Sequence, residues 1–226
     1  MRARVFLALL VACAHDEPLP SAVALPMPVE TAQGPAPVDA GPVLGVVERF
    51  PFHPHVHVTE TRTFPDGSSK AIELDETWVP LGEKGGFHVF RITSIGRPNG
   101  PEVWDMFYGR EGVGFYGGKD PDTGEFATYV PPEYILRSQP VIGQTWGESH
   151  SLGQTPVASS RRCTVVAPER CAAGLTVACE TALVVGAVVR RRFHYCDGAG
   201  YVGEDTDVFR DGELRSHAVD VVRVAE

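Results

Sequence analysis

From residue 46 onward the chain breaks into short β-forming runs, spaced at roughly ten residues and cut by turn signals. That pattern belongs to an antiparallel sheet folded back on itself. Candidate strands cover residues 53–64, 69–79, 86–95, 102–109, 112–117 and 127–130, then 161–166, 175–185, 188–195, 200–209 and 214–224. Pro65-Asp66-Gly67 and Asp211-Gly212 read as hairpin turns, because glycine takes the positive φ that a tight reversal needs. Val56 and Val58 alternate with polar neighbours that run on through Thr59, Thr61 and Thr63, as strands with one dry face require. Helical periodicity is thin. Its best candidate is a short turn at residues 131–136, where prolines can open a helix. The expected fold class is all-β: a single curved antiparallel sheet or half-open barrel with few short helical turns, formed by one domain over residues 46–226.

The amino terminus follows other rules. Residues 1–12 divide into a basic start (Arg2, Arg4), an apolar run from Val5 to Val11, and small Ala12, which is the plan of a secretory signal peptide. The run is far shorter than the ~20 residues that a membrane-spanning helix needs. The segment Leu10-Val11-Ala12-Cys13 resembles the lipobox of bacterial lipoproteins. The resemblance implies cleavage after Ala12, a diacylglycerol on the Cys13 sulfur and acylation of the new terminus. Ala14, rather than an aspartate, follows the cysteine; by the sorting rule of enteric bacteria this implies the outer membrane. Residues 13–45 carry prolines at 18, 20, 26, 28, 35, 37 and 42. Each removes a donor and restricts its neighbour, so neither helix nor strand survives. A disordered tether is expected, with a reach of up to ~90 Å.

A second resemblance rests on residues 129–136, on Gln139-Pro140-Val141-Ile142-Gly143-Gln144-Thr145-Trp146, on Ala182-Leu183-Val184-Val185 and on residues 195–202. These segments resemble bacterial envelope proteins with a curved antiparallel sheet, broadly similar to the lipoprotein-carrier half-barrels. The matching positions are turn glycines and core aromatics. They imply a fold and name no catalytic residue.

Beyond Cys13 there are four cysteines: Cys163, Cys171, Cys179 and Cys196. An even set in an exported chain reads as two disulfides. The rival is a tetrahedral zinc site, but no pair has the tight spacing usual there. Three connectivities exist. Residues eight apart on an extended strand are roughly 26 Å distant, against about 5.5 Å between the Cα atoms of a disulfide. That disfavours joining Cys171 to Cys163 or Cys179. Pairing of the two strands around Cys163 and Cys179 would bring those residues opposite, leaving Cys171 for Cys196.

Candidate chemistry is sparse. His53, His55 and His57 occupy alternate positions, so on a strand they share one face about 6.6 Å apart. Imidazole is a common transition-metal ligand, and His88 or Glu60 could complete a site. The competing reading is an exposed edge segment. Asp120-Pro121-Asp122-Thr123-Gly124-Glu125 has part of the ligand spacing of a calcium loop and equally the composition of a hairpin loop. Ser149 adjoins His150, but neighbours on a strand face opposite ways, and the sequence holds no Gly-x-Ser-x-Gly elbow. Arg161-Arg162 and Arg190-Arg191-Arg192 read as solvated strand faces. The strand aromatics, Trp78, Phe90, Trp104, Tyr108, Phe115 and Trp146 among them, could line a site for an acyl chain or form a core. The formal net charge of -9 argues against nucleic acid, which needs clustered Lys and Arg. The expected protein is therefore a lipid-anchored envelope protein without cofactor or catalytic role, binding an apolar ligand or a protein partner. The alternative is a metal-binding module or enzyme built on His53, His55 and His57.

Overall fold

The computed structural model describes residues 49–109, 111–119, 124–153 and 155–225. The signal segment 1–12, Cys13, the tether 13–45 and Asp120 to Thr123 of the acidic loop lie outside the described residues. Twelve strands follow one another: β1 (His55–Thr63), β2 (Ser69–Lys84), β3 (Phe87–Ile95), β4 (Glu102–Gly109), β5 (Gly112–Lys119), β6 (Phe126–Arg137), β7 (Thr145–Leu152), β8 (Thr155–Val166), β9 (Gly174–Leu183), β10 (Ala187–Cys196), β11 (Gly200–Arg210) and β12 (Glu213–Val224). Each pairs antiparallel with the next, and β1 pairs with β12 from Val56↔Val224 to Thr63↔His217. The sheet is thus a closed barrel rather than half-open, and closure pairs each of the twelve described strands on both sides.

Pairing depends on turns and on glycine. Phe64 and Ser68 close the first hairpin around Gly67, with the Phe64 amide donating to the Ser68 carbonyl at 2.9 Å. In β5 a Cβ on Gly114 would collide with the Glu133 carbonyl of β6, so only glycine allows this approach. The helical turn expected at residues 131–136 is instead strand β6. Register slips between Phe115↔Glu133 and Gly117↔Thr128, and the bulged stretch between them holds Pro131 and Pro132. There a missing amide costs no ladder bond, and this is where a sheet tolerates proline.

Strand β7 has no counterpart in the sequence reading. Its inward positions are Trp146, Glu148, His150 and Leu152, a mixture that does not alternate as apolar against polar. It meets β6 at Tyr129↔Leu152 and Val130↔Ser151. Higher up, side chains bridge the two strands. The Tyr134 amide donates to Glu148 at 3.0 Å, and the Trp146 indole donates to the Tyr134 carbonyl at 3.4 Å.

Inside the barrel the two ends differ. Toward the end where β1 begins, Ile92, Met106, Val113, Leu136, Val165, Val177, Phe193 and Tyr195 form the main apolar core. The other half is charged, holding Glu60, Arg62, Arg97, Glu133, His150 and Arg161, each at most 8 % exposed. Outward positions include His55, His57, Glu73, Asp75, Arg190 and Asp207, exposed or ion-paired at the surface.

Cys163 and Cys179 face each other across β8 and β9 and are bonded, with Cα atoms 4.0 Å apart. Cys171, in the loop between those strands, is bonded to Cys196 at the end of β10, Cα atoms 5.9 Å apart.

Candidate functional site

Three features outside the ordinary core could carry function: a plug, a buried charge network and a histidine cluster on the outer face.

The plug is the segment 49–54 that leads into β1. Pro51 and Pro54 hold it extended, because proline fixes its own φ and restricts the residue before it. It crosses the barrel mouth from the β10–β11 turn to β2, β3 and β4. On one side the Arg49 guanidinium donates to Asp197 at 2.9 Å, and the Gly198 amide donates to the Arg49 carbonyl at 3.0 Å. Gly200 has φ +79, and a Cβ there would strike the Pro51 carbonyl. On the other side the Trp78 amide donates to the Pro54 carbonyl at 2.8 Å. Phe50, 2 % exposed, packs on Tyr195 with ring centroids 5.4 Å apart. Phe52 sits among Trp78, Phe90 and Tyr108, centroids 5.3 to 5.9 Å away. The strand aromatics are thus engaged by one another and by the chain's own lead-in.

Below the core, charges meet in two groups. The Arg97 side chain, 0 % exposed, reaches Glu60 at 2.8 Å and Glu102 at 2.7 Å. Arg62 touches the other oxygen of Glu60 at 3.5 Å. In the second group Arg161 binds Glu133 at 2.6 Å and Glu148 at 3.5 Å, and His150 Nε2 lies 3.0 Å from Glu133. Burial works to raise the Glu133 carboxyl, but Arg161 and His150 outweigh it and hold the group down at about 2. For Glu148 burial wins and its carboxyl is raised, Arg161 offsetting only part of the effect. Two carboxylates pushed apart around one guanidinium resemble an acid–base pair. Here they are 9–10 % exposed, and the arrangement pins β6, β7 and β8 together. Arg161, expected on a solvated face, is therefore inward, and its neighbour Arg162 faces out.

The three candidate histidines separate. His53 belongs to the plug, its Nε2 lying 3.1 Å from the Ala199 carbonyl oxygen. His55 and His57 stay together on the outer face, ring centroids 5.3 Å apart. Neither proposed completing residue joins them. Glu60 points inward, and His88 stacks on Tyr108 at 4.6 Å. Asp75 of β2 takes that place, opposite His57 in the register, with His57 Nδ1 at 2.5 Å and His55 Nε2 at 3.9 Å from one carboxylate oxygen. The signal was present in the turn: a hairpin centred on Asp66 sets residues nine before and nine after it opposite each other. Arg97, Glu133 and Glu148 had no comparable signal, since a lone charge in a strand looks the same facing in or out.

The architecture is that of a plugged, closed antiparallel barrel with a charged half-interior. No family model matches the chain, and no curated protein matches it. Among solved structures, it is similar to one described as a candidate lipoprotein of Parabacteroides distasonis, with 8 % identity and a TM-score of 0.37, covering 77 % of this chain and 97 % of that one. A likeness of that size defines no family.

Proposed function

We propose that the chain is an exported envelope protein, anchored through lipid on Cys13, whose barrel is a non-enzymatic module that engages a partner protein. The observation that carries this reading is the pairing of Cys163 with Cys179 and Cys171 with Cys196. Structural disulfides belong to oxidising compartments, and the pairing leaves Cys13 as the odd cysteine, inside the lipobox-like segment. The engagement of Phe50 and Phe52 with the interior aromatics supports recognition on the outside of the barrel. A second reading, an apolar ligand admitted when the plug withdraws, is favoured by the aromatic nest of Trp78, Phe90 and Tyr108 under Phe52.

Globomycin treatment followed by intact-mass analysis tests the anchor. The expected result is accumulation of the uncleaved, diacylglyceryl-modified precursor. A secreted form with free Cys13 overturns it. Native mass spectrometry of protein extracted from its own envelope separates the two binding readings, by a protein mass or a small apolar mass on the barrel.

A further inference from the structure

We propose that His55, His57 and Asp75 form a solvent-facing site for one divalent transition-metal ion on the outer face of β1 and β2. The site is independent of the anchor and of the plug. Its parts come from two mechanisms. His55 and His57 share a face because side chains repeat every second residue on a strand, and the β1–β2 register sets Asp75 opposite His57. The two imidazole nitrogens and one carboxylate oxygen all lie within 4.8 Å of one another.

A metal at ~2.0–2.2 Å from each donor needs donor separations between the two distances seen here, 2.5 Å from His57 and 3.9 Å from His55 to the Asp75 oxygen. The adjustment is a rotation of exposed side chains, which are 49 %, 54 % and 57 % accessible. It does not disturb the sheet.

Two imidazoles with one carboxylate select Zn²⁺, Co²⁺, Ni²⁺ or Cu²⁺ over Ca²⁺ and Mg²⁺, which prefer oxygen-only sets. With only three protein donors, at least one coordination position would be left to water or an exchangeable ligand. The surroundings contribute charge of both signs. Glu73 lies two residues from Asp75 on the same face and accepts a hydrogen bond from Thr59 at 2.8 Å. Arg223 of β12 is the register partner of His57 on its other side. The combined Asp75 and Glu73 charge exceeds that of Arg223.

A second cluster, Glu169, His194 and Asp205, is a poorer candidate. Arg170 already sits on Asp205 at 2.6 Å and Arg192 approaches Glu169 at 3.9 Å. Its cation is supplied by arginine.

The test is calorimetric titration of the chelator-treated, detergent-solubilised full chain with ZnCl₂, paired with Co²⁺ absorption spectra. One ion per chain is expected. His57→Ala and the near-isosteric Asp75→Asn should each weaken Zn²⁺ binding about tenfold or more, while His53→Ala and His194→Ala leave it unchanged. Unaltered thermal melting of Asp75→Asn shows that the loss is not unfolding. The proposal is overturned if the wild type takes up no Zn²⁺, if binding survives His57→Ala and Asp75→Asn, or if His194→Ala abolishes it.

Discussion

Arg161 and Glu133 meet at 2.6 Å inside the barrel, their side chains 2 % and 10 % exposed. Removing the cation alone leaves a buried carboxylate without its main partner, a change that typically costs about 3–5 kcal/mol. Arg161→Met is expected to fall in that range by urea unfolding. The double variant Arg161→Met/Glu133→Gln should recover part of the loss, because the Glu133 charge is then gone and only Glu148 has lost the guanidinium. A double variant no more stable than Arg161→Met would remove the pair from the account of stability.

Acid should act on the same residue. Glu133 is held at about 2 against an ordinary value of 4.5. A depressed carboxyl contributes stability that is present above its unfolded value and disappears as pH falls through its folded one. The contribution is on the order of 3 kcal/mol and is lost between pH 4.5 and 2. Glu148 is raised, so it takes up its proton first and stabilises the fold slightly as that happens. The stability difference between wild type and Glu133→Gln, followed by urea midpoint, should therefore narrow as pH falls from about 4.5 toward 2.

The disulfides span sequence separations of 16 and 25 residues, each worth about 3 kcal/mol by loop closure. Cys171→Ser/Cys196→Ser is expected to lower the unfolding free energy by about that amount, with Cys163–Cys179 still intact by non-reducing peptide mapping. In the wild type, recovery of a peptide joining Cys163 to Cys171 would contradict the register that sets Cys163 opposite Cys179.

Phe50 and Phe52 should differ in cost. Phe50 is buried to 2 % exposure, and Phe50→Ala is expected to destabilise by about 3 kcal/mol. Phe52 is only partly buried, so Phe52→Ala should cost less while wetting Trp78, read as a red shift in tryptophan emission. An unchanged emission maximum would mean that Phe52 does not shield that ring.

Much of this barrel was legible because turns and alternation are local. Asp66-Gly67 and Asp211-Gly212 set the hairpins, and Val56 and Val58 mark an inward face. Strand β7 was hidden since Glu148 and His150 face inward, so its buried side reads as polar. Residues 131–136 misled because paired prolines open helices and also fit bulges, and only the position of β5 decides between them. Closure was hidden too. Whether β1 stops as an edge or meets β12 depends on the summed coiling of all the strands. His55 and His57 were visible as a pair, whereas Asp75 required the hairpin register as well.

The pairing of β1 with β12 also sets a timetable. In a chain that crosses a membrane amino terminus first, β1 arrives early and must wait for the last strand before half of its ladder exists. Contacts so distant in sequence form slowly. During that interval both margins of the growing sheet are exposed templates for other chains. The barrel is therefore most vulnerable between the appearance of β2 and the arrival of β12, and a chain truncated before Glu213 would remain in that state permanently.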